Sequence, residues 1–373
     1  MTGWNLQGGE VLRGGVMERA DLAINGARIA ATAPADARGE DVSGLWLLPG
    51  IVDLHGDAIE RIIMPRPGIS FALDLSLAEA DRQMLSNGIT TAYHGLTVGW
   101  EPGLRSIATA RAFVAALRAQ AAQLACDTRI NIRWEIFALD EMAEVAGWFA
   151  DLPGAVLSLN DHTTANLGLP ATARKIMRMA DRSGLSPEGC VAALADVALR
   201  APEVPAAVMQ MVQKARAAGL TCFAHDEMTT EERAAHRALG VTVSEFPMTR
   251  ATAAAARAAQ EPVIFGAPNV LRGGSQNNAV AAGPAMRDGL GTVLASDYWY
   301  PAPLQAAFLL AHDHGMPFGT AWDCVAANPA AAVGLQDRGR LLPGLRADII
   351  AVCPRSRSVK AVWVAGARKL TLA

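Results

Sequence analysis

A histidine and an aspartate two residues apart, His55 and Asp57, follow an apolar run in the first sixth of the chain. The run, residues 48–54, reads LPGIVDL and predicts a buried β-strand. Because side chains alternate between the faces of a strand, residues i and i+2 project from one face. His55 and Asp57 would then offer a nitrogen and an oxygen side by side, which is ligand chemistry for a divalent metal. A single His-x-Asp pair is common by chance, so its meaning depends on the ends of the other strands.

Polar side chains with metal-binding or acid–base chemistry follow nearly every strand predicted in the middle of the chain. Apolar, β-branched runs indicate eight strands, at residues 51–54, 90–93, 130–136, 156–159, 221–224, 241–245, 263–267 and 292–295. The polar residues at or just after their carboxyl ends are His55, Asp57, His94, Glu135, Asp161, His162, His225, Asp226, Glu245, Asn269 and Asp297. No role at the site is expected for the three remaining histidines, His236, His312 and His314.

The order of the elements indicates an α/β protein. Helical patterns separate most of the eight strands, for example at residues 104–124 and 204–218. Eight β/α alternations over roughly 280 residues are typical of a (β/α)8 TIM barrel, and a doubly wound open sheet is the alternative. Active sites of TIM barrels lie at the carboxyl ends of the strands, which is where the polar residues gather.

Both ends of the chain carry short strand patterns. Asn25-Gly26 between two apolar runs predicts a hairpin, and residues 347–352 and 358–364 read as strands. We therefore predict that residues 1–47 and 335–373 form one small β domain. Residues 48–334 then form the (β/α)8 barrel domain.

Composition excludes several classes of function. The net charge is −3 and the pI is about 6.2, so no global positive field favours nucleic acid or an anionic membrane. No apolar stretch of about 18 residues predicts a membrane span, and the amino terminus has no signal-peptide pattern. The five cysteines show no CxxC pair, which suits a reducing compartment and predicts a cytoplasmic protein. The sequence leaves the oligomeric state open and allows a homo-oligomer.

Several sequence strings resemble those of a known superfamily. Residues 48–55 (LPGIVDLH), 88–91 (GITT) and 344–350 (GLRADII) are similar to the amidohydrolase superfamily. Further strings resemble the phosphonate-utilisation diphosphatases of that superfamily, which act on α-D-ribose 1-methylphosphonate 5-triphosphate. These strings are DLHGD at 53–57, MPRPG at 64–68, SLNDHT at 158–163, AHD at 224–226, SEFP at 244–247, GAPNVLRGGS at 266–275 and SDY at 296–298. The resemblance covers about residues 45–350 and implies a metal-dependent hydrolase that releases pyrophosphate from a small phosphorylated substrate.

The strand-end residues support a metal mechanism in their own right. A two-metal site about 3.5–4 Å wide needs a carboxylate that bridges both ions. We assign that role to Glu135, while Asp161, Asp226 and Glu245 are alternatives, and an ion pair with Arg133 is the non-catalytic alternative. No lysine ends a strand, so a carbamylated lysine is not expected. The ligand assignment is His55, Asp57 and Asp297 for one metal and His162 and His225 for the other, with Glu135 between them.

The same ligands bear on the metal and on catalysis. Imidazole and carboxylate ligands predict that one or two divalent ions bind. Zinc is the preferred metal, and manganese, iron or cobalt would also suit these ligands. Asp297 is predicted to be the catalytic residue, accepting a proton from the water that the metal activates.

A phosphorylated substrate needs cationic and N–H donors as well. Arg272, Gly273, Gly274 and Ser275 offer a guanidinium, backbone N–H groups and a hydroxyl in one loop, which predicts an anion-binding nest. Arg66 stands between two prolines, whose restricted backbone suits a fixed cationic clamp. The predicted substrate-binding residues are Arg66, Asn269, Arg272, Gly273, Gly274 and Ser275.

The chain departs from the diphosphatase pattern at two loops. Residues 164–170 read TANLGLP where the family carries a Pro-Gly-Gln-type loop, and Gln276 stands where the family tends to carry histidine. These changes favour an amide-bond hydrolase or deaminase as the alternative function, whereas the Arg272 loop favours the phosphohydrolase. A third hypothesis, a barrel that serves only as a scaffold, is disfavoured because the ligand residues are intact.

Overall fold

An eight-stranded parallel sheet forms the centre of the protein. The computed structural model describes residues 3–275 and 279–372. The strands follow one another around the sheet in chain order, each parallel to the next. They are Ile51–Gly56, Ile89–Val98, Asp127–Glu135, Val156–Asn160, Thr221–His225, Val243–Glu245, Val263–Gly266 and Val293–Ala295. The predicted (β/α)8 barrel is confirmed, and the open doubly wound alternative is not, because the strand order never reverses.

The barrel closes between its first and eighth strands. Asp297 N–H donates to the carbonyl of His55 at 2.8 Å, and Gly56 and Asp297 form a parallel bridge. Near the amino-terminal end of the first strand, Val52 N–H donates to the carbonyl of Val325 at 2.9 Å. Val325 thus supplies the backbone hydrogen bond that the eighth strand does not provide there. The closure holds Asp297 directly beside the first strand.

Helices surround the barrel, and their apolar faces cover the strands. The α-helices are Ala58–Ile63, Leu73–Ser86, Ile107–Gln120, Met142–Asp151, His162–Asn166, Arg174–Ser183, Pro187–Ala198, Val204–Ala217, Thr230–Leu239, Arg250–Ala258, Ala267–Arg272, Ala282–Arg287, Ala302–His312, Phe318–Asp323 and Ala327–Ala332. Two 3₁₀-helices are Gly103–Arg105 and Ala201–Glu203. Because helices cover one face and the barrel interior the other, the first two strands are buried along their whole length. No helix of the described residues has the length and apolar character that crossing a membrane requires.

Two smaller sheets are built from the ends of the chain. One contains Trp4–Gln7, Leu22–Asn25, Arg28–Ala30 and Arg38–Asp41, and the other contains Glu10–Arg13, Val16–Arg19, Trp46–Pro49, Ile349–Cys353, Ser358–Val364 and Ala367–Thr371. In the second sheet Leu48 pairs with Ile350, which joins an amino-terminal strand to a carboxyl-terminal one. Buried Leu6, Leu47 and Trp363 belong to one apolar core that both ends share. The domain boundaries at 47/48 and 334/335 stay a prediction.

Candidate metal centre

Three groups of histidine and carboxylate side chains meet at the carboxyl end of the barrel. Within each group the possible ligand atoms lie within 4.8 Å of one another. The groups are His55, Asp57 and Asp297; His162, His225 and Asp226; and His55, His225 and Glu245. Imidazole and carboxylate groups at this spacing are a donor set that fits a divalent transition metal or zinc. The structure therefore brings together five of the six predicted ligands, in the same two sets in which the sequence placed them.

Asp57 lies just after the first strand, at the N-cap position of the next helix. The first strand ends at Gly56, and Asp57 immediately precedes the helix Ala58–Ile63. The N–H groups of Asp57 and Ala58 both donate to the carbonyl of Asp297, at 3.0 and 3.2 Å. The expectation that His55 and Asp57 project from one face of a strand is thus wrong. The strand ends at Gly56, and Asp57 is the N-cap residue of the helix that follows.

His55 is held by a buried carboxylate on the sixth strand. Its Nδ1 lies 2.8 Å from Oε1 of Glu245, whose Oε2 accepts a 2.5 Å hydrogen bond from Ser158. Asn131 also donates to Oε1 of Glu245, at 3.2 Å. Burial would raise the pKa of Glu245, but His55, His225 and Ser158 outweigh burial and lower this pKa to about 2. An ionised Glu245 favours the tautomer in which His55 carries its proton on Nδ1 and offers Nε2 to a metal.

Glu135 lies beside these groups without belonging to any of them. Its Oε2 accepts hydrogen bonds from the backbone N–H of His162 at 3.0 Å and lies 3.1 Å from Nδ1 of that ring. Its Oε1 accepts from the backbone N–H and the hydroxyl of Thr163, at 3.2 and 2.8 Å. Burial would raise the pKa of Glu135, but the hydrogen bonds and charge of His162 lower it. The carboxylate orients His162, and its bridging role stays a prediction.

Asp297 occupies a strained position at the mouth of the barrel. Its φ of 54° lies in the left-handed region, as do those of Asp226 (58°) and Phe246 (55°), which follow the fifth and sixth strands. A Cβ on Gly266 would lie 3.2 Å from Oδ2 of Asp297, so a glycine leaves room for this carboxylate. Burial, followed by the like charge of Asp57, raises the pKa of Asp297 well above its usual range. A cation bound beside Asp297 would lower this pKa.

Arg133 is a buried cation inside the site. Its Nη1 donates to Oδ2 of Asp57 at 3.4 Å, and its Nη2 donates to Oδ1 of Asn160 at 3.2 Å. The same Nη2 lies 3.2 Å from Nε2 of His225. Among the described residues, its ion pair is with Asp57 and not with Glu135, so the non-catalytic alternative for Glu135 is not what the structure shows. Arg133 moderates the negative charge that Asp57 and Asp297 bring together.

Five of the six predicted anion-binding residues, all except Gly273, border two cavities beside the metal ligands. A cavity of about 110 Å³ is lined by Asn269, Arg272, Gly274, Ser275 and Asp297, among others. Arg272 also borders a larger cavity of about 770 Å³, together with Arg66, Asp57 and Asp297.

Two of the predicted anion-binding residues have structural roles in the loop. Gly273 ends the helix Ala267–Arg272 with a φ of 73°. The side chain of Asn269 donates to the carbonyl of Val280 at 3.0 Å and accepts from Ala282 N–H at 3.1 Å, which ties the helix Ala267–Arg272 to Val280 and Ala282. Gln276 lies outside the described residues.

The sequence did not reveal most of the cations at this site. The larger cavity is also lined by Arg61, Arg105, Arg174, Arg178 and Arg182. Arg174, Arg178 and Arg182 are four residues apart along one helix, and that spacing places them on one face. This periodicity could have been read from the sequence, whereas the cavity that they border could not.

Solved structures with the same fold place the protein in a structural class. The crystal structure of an amidohydrolase superposes with a TM-score of 0.65, covering 100% of both chains at 14% sequence identity. The crystal structure of a D-aminoacylase superposes with a TM-score of 0.62, covering 98% of this chain and 96% of its own at 17% identity. The barrel with its terminal sheets is therefore the fold of amidohydrolases.

One curated protein is similar in sequence over most of the chain. It is the alpha-D-ribose 1-methylphosphonate 5-triphosphate diphosphatase of Escherichia coli (strain K12), 28% identical over 336 residues. The match covers 88% of this chain and 89% of that protein. No known family profile matches the sequence. This similarity confirms the resemblance to the phosphonate-utilisation diphosphatases that the sequence strings indicate.

Proposed function

We propose that this protein is a metal-dependent hydrolase that cleaves a phosphoanhydride of a ribose 5-triphosphate bearing a phosphonate, with release of pyrophosphate. The observation that carries the proposal is the position of one metal-ligand group, of which Asp57 and Asp297 line a cavity of about 770 Å³ that is bordered by seven arginines. A polyphosphate brings several negative charges to a protein of net charge −3, so it needs a local concentration of cations. The similarity to the Escherichia coli diphosphatase supports the same substrate class.

The ligand groups would form two adjacent metal sites. His55, Asp57 and Asp297 would hold one divalent ion, and His162 and His225 a second, with zinc the first choice of metal. Such ions lower the pKa of water and stabilise charge on phosphoryl oxygens. Glu245 and Glu135 keep the His55 and His162 rings oriented through their Nδ1 atoms.

The protein's own groups account for the movement of the proton and the leaving group. The water oxygen forms a bond to the phosphorus nearest the ribose, and the bond from that phosphorus to the bridging oxygen breaks. The proton lost by the water passes to a carboxylate oxygen of Asp297, which lies in the same group as His55 and Asp57. Pyrophosphate leaves with the bonding electrons, and arginine side chains compensate its charge.

A pair of assays decides between this function and the alternative. The purified protein is incubated with a ribose 5-triphosphate-type substrate and, separately, with uncharged amides and amino-heterocycles. We expect pyrophosphate release that His55→Ala abolishes and that the exposed control His312→Ala leaves unchanged. Faster ammonia or amine release from uncharged substrates than pyrophosphate release from any triphosphate would replace the proposal with an amide-bond hydrolase or deaminase.

A further inference from the structure

The larger cavity contains more positive charge than its carboxylates neutralise. Its lining includes seven arginines and four carboxylates, and two of the carboxylates, Asp57 and Asp297, belong to a metal-ligand group. The cavity thus runs from the proposed metal centre to side chains that the proposed chemistry does not use.

Arg105, Arg182 and Arg61 each contact another side chain of the protein. Arg105 makes two hydrogen bonds to the carboxylate of Glu60, at 2.9 and 2.8 Å. Arg182 makes two to that of Glu101, at 2.5 and 2.9 Å. The guanidinium of Arg61 lies 5.3 Å from the ring centre of Tyr298, which is cation–π geometry. These three side chains support the wall of the cavity.

Arg174 and Arg178 differ from those three arginines. Both are exposed, both line the cavity, and they are four residues apart on the helix Arg174–Ser183. Within the described ranges, no carboxylate forms an ion pair with either of them. Arg182 lies one further turn along the same face and is held by Glu101, so it fixes the direction in which that face points.

The helix is less stable for carrying these cations. Its first turn contains Arg174 and Lys175 and no acidic residue, although positive charge is unfavourable at a helix amino terminus. Like charges at positions i and i+4, as in Arg174 and Arg178, also repel one another. An anion bound between the two guanidinium groups would offset the repulsion between them, so their placement suits a ligand better than it suits the stability of the helix.

We propose that Arg174 and Arg178 form a second anion-binding subsite, which holds the terminal phosphate of a polyphosphate chain whose inner phosphates lie at the metal centre. The inference rests on the proposed function for the placement of the inner phosphates. Guanidinium groups bind phosphate oxygens through short, charge-assisted hydrogen bonds, and two of them can contact one phosphate. The subsite makes the protein select for the number of phosphates, since a shorter chain does not reach it.

The test compares two non-hydrolysable probes of different length. Binding of imidotriphosphate and of imidodiphosphate to the protein as purified is measured by calorimetry. The variants are the double substitution R174Q/R178Q and the control Lys175→Gln, which removes a charge from the same helix turn but does not line the cavity. All three proteins are compared in thermal melting, and at most a small rise in Tm is expected for the variants, because the substituted side chains are exposed and their positive charge is unfavourable near the helix amino terminus.

The wild type is expected to bind imidotriphosphate about tenfold more tightly than imidodiphosphate, since each exposed arginine–phosphate contact is worth a few-fold. R174Q/R178Q should bring this ratio close to one, and Lys175→Gln should retain it. A ratio that survives in R174Q/R178Q, or that Lys175→Gln lowers equally, overturns the subsite. Pyrophosphate release is assayed separately: its absence refutes the proposed function, while the binding ratio still decides the subsite.

Discussion

Nδ1 of His55 lies 2.8 Å from Oε1 of Glu245, and both side chains are almost completely buried. The pair joins the first and sixth strands across the barrel, although 190 residues separate the two in sequence. Ser158 and Asn131 complete the hydrogen bonding of the carboxylate, so Glu245 accepts from three strands besides its own. Such a carboxylate fixes both the tautomer and the orientation of a metal-binding histidine.

Glu245→Gln is expected to lower metal affinity by about 10- to 100-fold, the usual effect of losing a partner that orients a ligand. A glutamine amide cannot accept from His55, Asn131 and Ser158 at once, because one of its two atoms is a donor. Metal content is measured after dialysis against buffered zinc. Glu79→Gln, on an exposed helix face, is the control. Equal metal content in wild type and Glu245→Gln would contradict the orienting role.

His55→Ala is expected to lower both the metal content and the activity, because it removes a ligand that belongs to two of the three groups. Elemental analysis of the purified variant gives the metal stoichiometry without reference to activity. His312→Ala is the matched control, since the side chain of His312 is 75% exposed. An unchanged stoichiometry in His55→Ala would rule out the ligand assignment.

The sequence predicted the barrel and most of the metal ligands because both depend on local patterns. An apolar run that ends in a polar residue marks a barrel strand, as in Thr221–His225, and carboxyl ends of parallel strands meet on one face. The predictions that were wrong concern local details that depend on tertiary contacts. Asp57 lies between the first strand and the helix Ala58–Ile63, and the predicted helix at 104–124 is divided into Gly103–Arg105 and Ile107–Gln120.

The anion-binding face could be predicted only in part. The Arg272 loop was found because glycines and an arginine are adjacent in sequence. Arg174 and Arg178 were missed because they belong to a helix that only the fold brings beside Asp57 and Asp297. Arg133 was considered as a partner of Glu135, two residues away, whereas its contacts are Asp57, Asn160 and His225 on other elements.

Arg272→Ala is expected to raise KM for a ribose 5-triphosphate-type substrate more than it lowers kcat. Arg272 lines both cavities, and a guanidinium that holds a phosphate contributes equally to the ground and transition states. Steady-state kinetics of pyrophosphate release provide the measurement. Arg287→Ala, which removes an exposed arginine paired with Asp288, should behave as wild type. Wild-type kinetics in Arg272→Ala would remove this residue from the substrate site.

His94 gives the fold a dependence on pH that is separate from catalysis. The side chain is buried on the second barrel strand against Phe113, and neither ring nitrogen has a hydrogen-bond partner within the described structure. Burial lowers the pKa of His94 from 6.5 to about 4, because a charged imidazolium loses its hydration there. In the unfolded chain the ring titrates near its ordinary value.

The sign of the effect follows from these two pKa values. Since the unfolded state binds the proton more tightly, the contribution of His94 to stability is complete above pH 6.5 and is lost as the pH falls from 6.5 towards 4. The loss in the free energy of unfolding between pH 7.5 and pH 5 should be about 2 kcal/mol. Urea denaturation of the wild type and of His94→Leu at both pH values measures it.

The variant His94→Leu should lack this share of the pH dependence, because leucine fills an apolar site and binds no proton. His312→Gln, at an exposed position, should keep the wild-type dependence and serves as the control. The absolute stability of His94→Leu can rise or fall with packing, so only the difference between the two pH values is diagnostic. If His94→Leu loses as much stability as the wild type on acidification, the acid sensitivity arises from other groups and not from the buried imidazole.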